Sequence, residues 1–434
     1  MKTYGSMSKE ELLQLRSKLE TEYNEYISKD LHLDMSRGKP CEEQLDAGRG
    51  LLDALNSHSS MKDEDGVDSR NYGAMDGIRE AKELLGAMAG AHGKGVGSDH
   101  VVLYGNASLN AMFDAVSRSM THGVAGHIPW MKLDNVKFLC LVPGYDRHFS
   151  ITEYFGIEMV NVAMTTEGPD MDTIERLVSS DESIKGIWCV PKYSNPQGIT
   201  YSDEAVRRFA NLKPAAPDFR IFWDNAYCVH HFYEDQQDQL LDIISECEKA
   251  GNPDMVYEFV STSKVSYAGA GISGIISSKN NLDEVRKNMF VQTIGHDKVN
   301  QLRHVRFFKD IEGIKAHMKV HAGIVRPKFE AVLNRLDQEL NGLEIGWWVK
   351  PRGGYFISFD SMPGCADKIV AKAKEAGVIM TGAGATFPYK KDPNNSNIRI
   401  APTFPTTKEL AAATDLFIVC VKLVSVEQLL EKMA

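Results

Sequence analysis

The 434-residue sequence is short of positive charge, with 49 Lys and Arg against 59 Asp and Glu and a formal charge of −10. That deficit argues against a nucleic-acid binder, whose affinity rests on basic residues facing phosphates, and against a polybasic membrane-surface protein. Long apolar runs are missing too. The longest near the C-terminus, Leu416 to Val421, falls far short of a membrane span. The opening residues MKTYGSMSKEEL carry no apolar stretch, so no secretory signal is expected. Seven cysteines, at 41, 140, 189, 228, 247, 365 and 420, form no CxxC pair. The odd number and apolar surroundings predict reduced, buried thiols in a cytoplasmic protein. There is no GxxxxGKS/T, no HExxH and no GxSxG, which removes P-loop, zinc-protease and nucleophile-elbow chemistry.

What is present is an ordinary globular balance, 43% hydrophobic and 25% charged, in a chain long enough to bury a large core. Ser8 followed by Glu11 is a capping box, and Leu12, Leu15, Leu19 and Tyr23 recur at helical spacing, which predicts a helix over 9–28. From about 75 to 280, helical stretches (77–90, 109–120, 202–212) separate apolar runs at 101–103, 136–142, 157–162, 187–190, 220–223, 256–260 and 272–277. This is the rhythm of βα units around a mostly parallel sheet, and the nearly solid apolar runs predict strands covered on both faces. After 310 the rhythm changes. A helix over 313–340, a strand at Gly353–Ile357, a helix near 366–376, a strand at Ile398–Ala401 and a last helix opened by Thr406 and Glu409 are expected. The reading is α/β, with a large domain over 49–310 and a smaller α+β domain from 1–48 and 311–434.

Two patterns invite misreading. Gly269, Gly271 and Gly274 match GxGxxG, but a strand, Ile275-Ile276-Ser277, follows where a dinucleotide site needs a helix, so a loop between strands is expected. His317 and His321 lie four apart on a helix with no third ligand nearby. They read as two surface histidines, and no metal is expected.

Residues with chemical potential cluster just past the apolar runs, the edge where parallel sheets bind ligands. After 101–104, Ala107 and Ser108 open a helix whose N-terminus favours an anion, although Ser108 also suits an N-cap. After 138–142, Tyr145 can cover a flat ring or simply pack. After 187–190, Asn195 can bond a ligand oxygen or form a turn. After 221–223, Asp224 needs a cationic partner, such as a protonated ring nitrogen, unless it caps a helix. After 256–260, Lys264 follows Ser261-Thr262-Ser263. A desolvated lysine can form a Schiff base, and a snorkelling one is the commoner case. Together these supply an anion cradle, a ring-stacking aromatic, a phenolic-oxygen partner, a ring-nitrogen carboxylate and an aldehyde-capturing lysine. Pyridoxal 5'-phosphate needs all five.

With those residues in place, the chain resembles fold-type I, pyridoxal phosphate-dependent aminotransferases of the aspartate aminotransferase superfamily over nearly its whole length. The strings SRGKP, VPKYSNPQG, STSKVSYAGAGISG and DKVNQLRHVRF are most similar to the divergent bacterial group related to the catalytic domain of the MocR regulators. The resemblance implies that Lys264 holds the cofactor as a Schiff base and that Asp224, supported by His148, keeps its ring nitrogen protonated. It implies that Asn195 and Tyr227 bond the phenolic oxygen, Tyr145 stacks on the ring, and Ala107, Ser108 and Ser261 contact the phosphate. Tyr72 would reach the phosphate of a neighbouring subunit, making a homodimer with shared sites. Gly38 would line the substrate pocket, and Arg399 would clamp the substrate α-carboxylate. One departure stands out. The family's phosphate arginine, eight residues after the lysine, is here Ile272, so either another cation, Arg303 or Lys298, compensates or the backbone cradle carries more of the charge.

The expected activity is transfer of an amino group between an L-amino acid, best read as aspartate, and a 2-oxo acid, best read as 2-oxoglutarate. Arg37, Lys39, Lys298 and Arg303 are the cations open to a distal carboxylate. Alternatives are another transaminase or a β-lyase on the same fold, and a non-catalytic MocR-like sensor module. Such sensors carry an N-terminal winged-helix domain, whereas about fifty residues precede the large domain here.

Overall fold

The computed structural model describes residues 2–90 and 97–433. All seven apolar runs form strands of one eight-stranded sheet. Its order is Val101–Tyr104, Ser273–Ile276, Val256–Ser261, Arg220–Asp224, Ile184–Cys189, Lys137–Val142, Glu158–Thr165 and Gly168–Pro169. The five strands from Val256–Ser261 to Glu158–Thr165 pair parallel. Ser273–Ile276 runs antiparallel to both its neighbours, so Val101–Tyr104 points the same way as the parallel set. The solid apolar strands are covered on both faces, as their sequence demanded: every residue of Arg220–Asp224 and Ile184–Cys189 is buried. One face packs Leu139, Ile187, Ile221 and Trp223 against helices Arg79–Ala89 and Asp203–Ala210. The other packs Phe138, Trp188, Phe222 and Phe259 against helix Ser108–His122.

A second core joins the two ends of the chain. Helix Lys9–Ile27, the later turns of helix Ile311–Leu340, helix Ala366–Glu375 and helix Thr407–Lys432 pack around the antiparallel sheet Gly346–Trp348, Ile357–Ser361 and Asn397–Ile400. Both sequence-read capping boxes form, at Ser8–Glu11 and Thr406–Glu409. Helix Thr407–Lys432 is apolar around its circumference because other elements surround it, and no described helix is long and apolar enough to cross a membrane. All seven cysteines are free and buried.

Three expectations need correction. The strand at 353–357 begins only at Ile357. Gly353 and Gly354 instead press on Tyr193: a Cβ on Gly353 would lie 2.4 Å from that ring, and Gly354 has φ +86°. The segment therefore arches over the parallel sheet's edge. His317 and His321 are not surface residues. Both are buried, because their helix face packs against the loop after Lys264 and the helix Glu42–Ala47. His317 Nε2 meets the Val265 carbonyl at 2.9 Å and His321 Nδ1 meets the Gln44 amide at 3.3 Å. Burial pushes both imidazoles down, His321 to about 3, so they are neutral packing groups. Ser108, finally, is not an N-cap. Ala107 occupies that position and Ser108 is the first helical residue.

Candidate active site

The C-terminal ends of the parallel strands converge on a cavity of about 190 Å³. Ala107, Ser108, Tyr145, Asn195, Asp224, Tyr227, Ser261 and Lys264 all line it, delivered by five strand ends of the sheet edge. Ser263 lines it as well, and its hydroxyl donates to the Asn106 carbonyl at 2.6 Å.

Asp224 ends its strand, and no helix follows directly, so it is not a cap. Its Oδ2 lies 3.0 Å from His148 Nε2, and the imidazole stacks on Trp188 with ring centroids 4.5 Å apart. Its Oδ1 is fully enclosed and has no hydrogen-bond partner. A carboxylate only 3% exposed with one oxygen unsatisfied is costly unless a ligand completes it. A protonated ring nitrogen would do so.

Lys264 leaves the strand Val256–Ser261 and is half-buried. Its Nζ lies 4.6 Å from the centroid of the Tyr227 ring and 5.7 Å from that of Tyr355. Burial raises the pKa of both phenols, and holds Tyr145 at about 12, so all three are neutral hydrogen-bonding groups.

Arg399 is 7% exposed and, from the small sheet, meets Asn195 at the cavity wall without lining the cavity itself. Its Nη1 donates to Asn195 Oδ1 at 3.3 Å and to Asp146 Oδ1 at 2.8 Å. Because the Asn195 carbonyl oxygen is turned to Arg399, its amide NH2 is left to donate toward the cavity. The guanidinium carbon lies 4.8 Å from the Phe356 centroid. Gly38 sits against the same ring, where a Cβ would come within 2.4 Å of Phe356.

Some sequence-named residues stay apart. Tyr72 is 77% exposed and does not line the cavity. Ile272 is buried in the core, its amide donating to Thr262 Oγ1 at 2.9 Å. Arg303 donates to Asn300, whose amide holds the carbonyls of Ala270 and Gly271, one layer behind the cavity. Arg37, Lys39 and Lys298 do not line it either. Sequence reading missed Tyr355, Phe356, Ser263 and Asp146. The last directly follows Tyr145 in the sequence, so its position was visible but its partner was not.

Behind Asp224 lies another buried acid. Glu258 pairs in register with Trp223 and accepts from Asn225 Nδ2 at 2.8 Å. Burial raises its pKa to about 8, so the folded state holds a proton that the unfolded state has lost. Stability contributed by this neutral group is fully present below the unfolded carboxylate pKa and declines up to about pH 8. Glu258→Gln is expected to flatten that part of the wild-type decline in melting temperature between about pH 4.5 and 8. Parallel melting curves across that window would contradict it.

The family profile for aspartate amino-transferase matches residues 7–433. The chain is 44% identical to an aspartate aminotransferase of Corynebacterium glutamicum, covering 94% of this chain and 93% of that one. It is also 44% identical to a putative aminotransferase of Mycolicibacterium smegmatis, covering 99% of each. The crystal structure of an aspartate transaminase from Corynebacterium glutamicum superposes with a TM-score of 0.95 at 42% identity, covering 99% of each chain. The chain belongs to the aspartate aminotransferase family.

Proposed function

We propose that this chain is a pyridoxal phosphate-dependent aminotransferase that takes the amino group of aspartate and gives it to 2-oxoglutarate. The observation that carries the reading is the enclosed, unpartnered Asp224 Oδ1 in the same cavity as Lys264. The aspartate preference rests on the similarity to the Corynebacterium glutamicum enzyme. When bound, the cofactor supplies an electron sink for the substrate Cα and a carbon that receives and returns the amino group.

The chain's own residues do the rest. Lys264 holds the cofactor and, once free, moves a proton to and from the substrate Cα. Asp224, fixed by His148, balances the ring-nitrogen charge. Asn195 and Tyr227 donate to the phenolic oxygen, and Tyr145 covers the ring. The helix that starts at Ser108, with the Ser108 and Ser261 hydroxyls, cradles the phosphate and takes over from the arginine absent at Ile272. Arg399 takes the α-carboxylate with Gly38 beside it, leaving room because no Cβ pushes on Phe356. Tyr72, exposed on its loop, completes the phosphate site of a second copy, giving a cytoplasmic homodimer. The large domain would span 49–310, with 1–48 and 311–434 forming the small one, so that the site lies between them.

Purified holoenzyme should release a stoichiometric burst of oxaloacetate from aspartate alone and turn over repeatedly only when 2-oxoglutarate is added. Much faster turnover of alanine or aromatic amino acids would overturn the substrate assignment. Arg399→Lys keeps the charge but loses the planar fork. It is expected to raise KM for aspartate about 10- to 100-fold, the loss of one charge-assisted hydrogen bond worth about 1.5–3 kcal/mol. An unchanged KM would show that the carboxylate binds elsewhere.

A further inference from the structure

We propose that Asp146 is an internal stand-in for the substrate carboxylate. It occupies Arg399 when no substrate is bound and is exchanged for the substrate, so it sets how tightly the site takes carboxylates. The inference rests on Arg399 being the carboxylate clamp.

The guanidinium offers few free edges. Its Nε is fully enclosed and unpartnered, and its face lies on Phe356. A planar carboxylate that seeks two parallel hydrogen bonds is left with the Nη1–Nη2 edge. Asp146 already holds Nη1, at 2.8 Å, and Asn195 Oδ1 accepts from the same nitrogen at 3.3 Å, so an incoming carboxylate finds Nη1 fully engaged. The incoming carboxylate and Asp146 therefore claim the same donor.

Asp146 is also built to leave. Its side chain is 35% exposed while that of Arg399 is 7% exposed, so the acid has water to turn into and the base does not. It stands in the first turn of helix Asp146–Tyr154, where the helix dipole favours a carboxylate whether or not Arg399 holds it. Arg399, by contrast, would be an uncompensated buried charge if left alone. Exchanging one carboxylate for another keeps it paired throughout. The pair also joins the small sheet, through strand Asn397–Ile400, to the large-sheet side.

An internal competitor multiplies the apparent affinity of every external carboxylate by the fraction of time the clamp is free, which raises its Kd. A weak ligand with one carboxylate and no other contacts suffers the full penalty. A substrate that gains further contacts in the cavity overcomes it. Asp146 thus acts as a threshold against small free carboxylates.

The test uses holoenzyme titrated with acetate and with maleate, followed by the change in visible absorption. Asp146→Asn removes the charge at constant shape. Asp146→Ser keeps a hydrogen-bonding group in the first helical turn in case the amide disturbs folding. Both variants are expected to bind both anions about tenfold more tightly than wild type. In an Arg399→Lys background, whose single ammonium lacks the shared edge, the gain should shrink. Unchanged or weaker anion binding in the folded Asp146 variants would overturn the proposal and leave Asp146 as a positioning residue for Arg399. Failure of the aminotransferase reading shows separately, as wild-type holoenzyme that moves no amino group from aspartate.

Discussion

Lys264→Ala is expected to lower turnover of aspartate by at least about 10⁴-fold, the upper range of what a positioned proton-transfer group contributes. Among the described residues no other lysine lines the cavity. Lys192 lies on the loop that carries Asn195, but its ammonium donates to the Cys228 carbonyl at 3.0 Å, and burial pushes its pKa down. It is committed elsewhere and cannot stand in. The variant should melt close to wild type, because Lys264 is half-buried and makes ring-face contacts rather than a buried ion pair. It should also recover part of its activity when a small primary amine is added, since the missing function is an amine at one place. Turnover within tenfold of wild type would remove Lys264 from the chemistry.

The second large effect belongs to Asp224→Asn. The amide matches the carboxylate in shape but carries no charge for a protonated ring nitrogen. The expected loss in kcat is about 10²–10³-fold, as for removal of one preorganised electrostatic stabiliser. KM for aspartate should change little, because Asp224 sits below the ring site and Arg399 takes the substrate. His148 holds one carboxylate oxygen, so His148→Ala should show a smaller loss in the same direction. A variant that loses affinity for aspartate but keeps kcat would place Asp224 in substrate binding instead.

Much of the sheet is legible in the sequence. Strands such as Arg220–Asp224 and Ile184–Cys189 are buried on both faces, so their cores Ile221-Phe222-Trp223 and Ile187-Trp188-Cys189 appear as apolar runs, and the reactive residues follow where those runs stop. That regularity brought Ala107, Tyr145, Asn195, Asp224 and Lys264 into one set, and the same residues meet around one cavity. What stayed hidden depends on pairing at long range. His317 and His321 read as polar surface positions, because nothing local announces that Val265 and Gln44 will partner them. Tyr355 and Phe356 read as strand residues, because the two glycines before them looked like a strand entrance. Only the contact with Tyr193, more than 150 positions away, turns that segment across the site. Asp146 stood in plain view, but its meaning comes from Arg399, whose position no spacing rule supplies. Tyr72 projects from the described chain, and the role its family resemblance implies belongs to a second copy.

The central claim is that Lys264 and Asp224 together hold pyridoxal phosphate for amino transfer. An absorption spectrum of the purified holoenzyme, followed by titration with aspartate, tests it most directly. The account predicts the yellow band of lysine-bound cofactor, its loss as aspartate is added, and its return when 2-oxoglutarate follows. A colourless protein that stays colourless with added pyridoxal phosphate, or a yellow band that aspartate leaves unchanged, would contradict it.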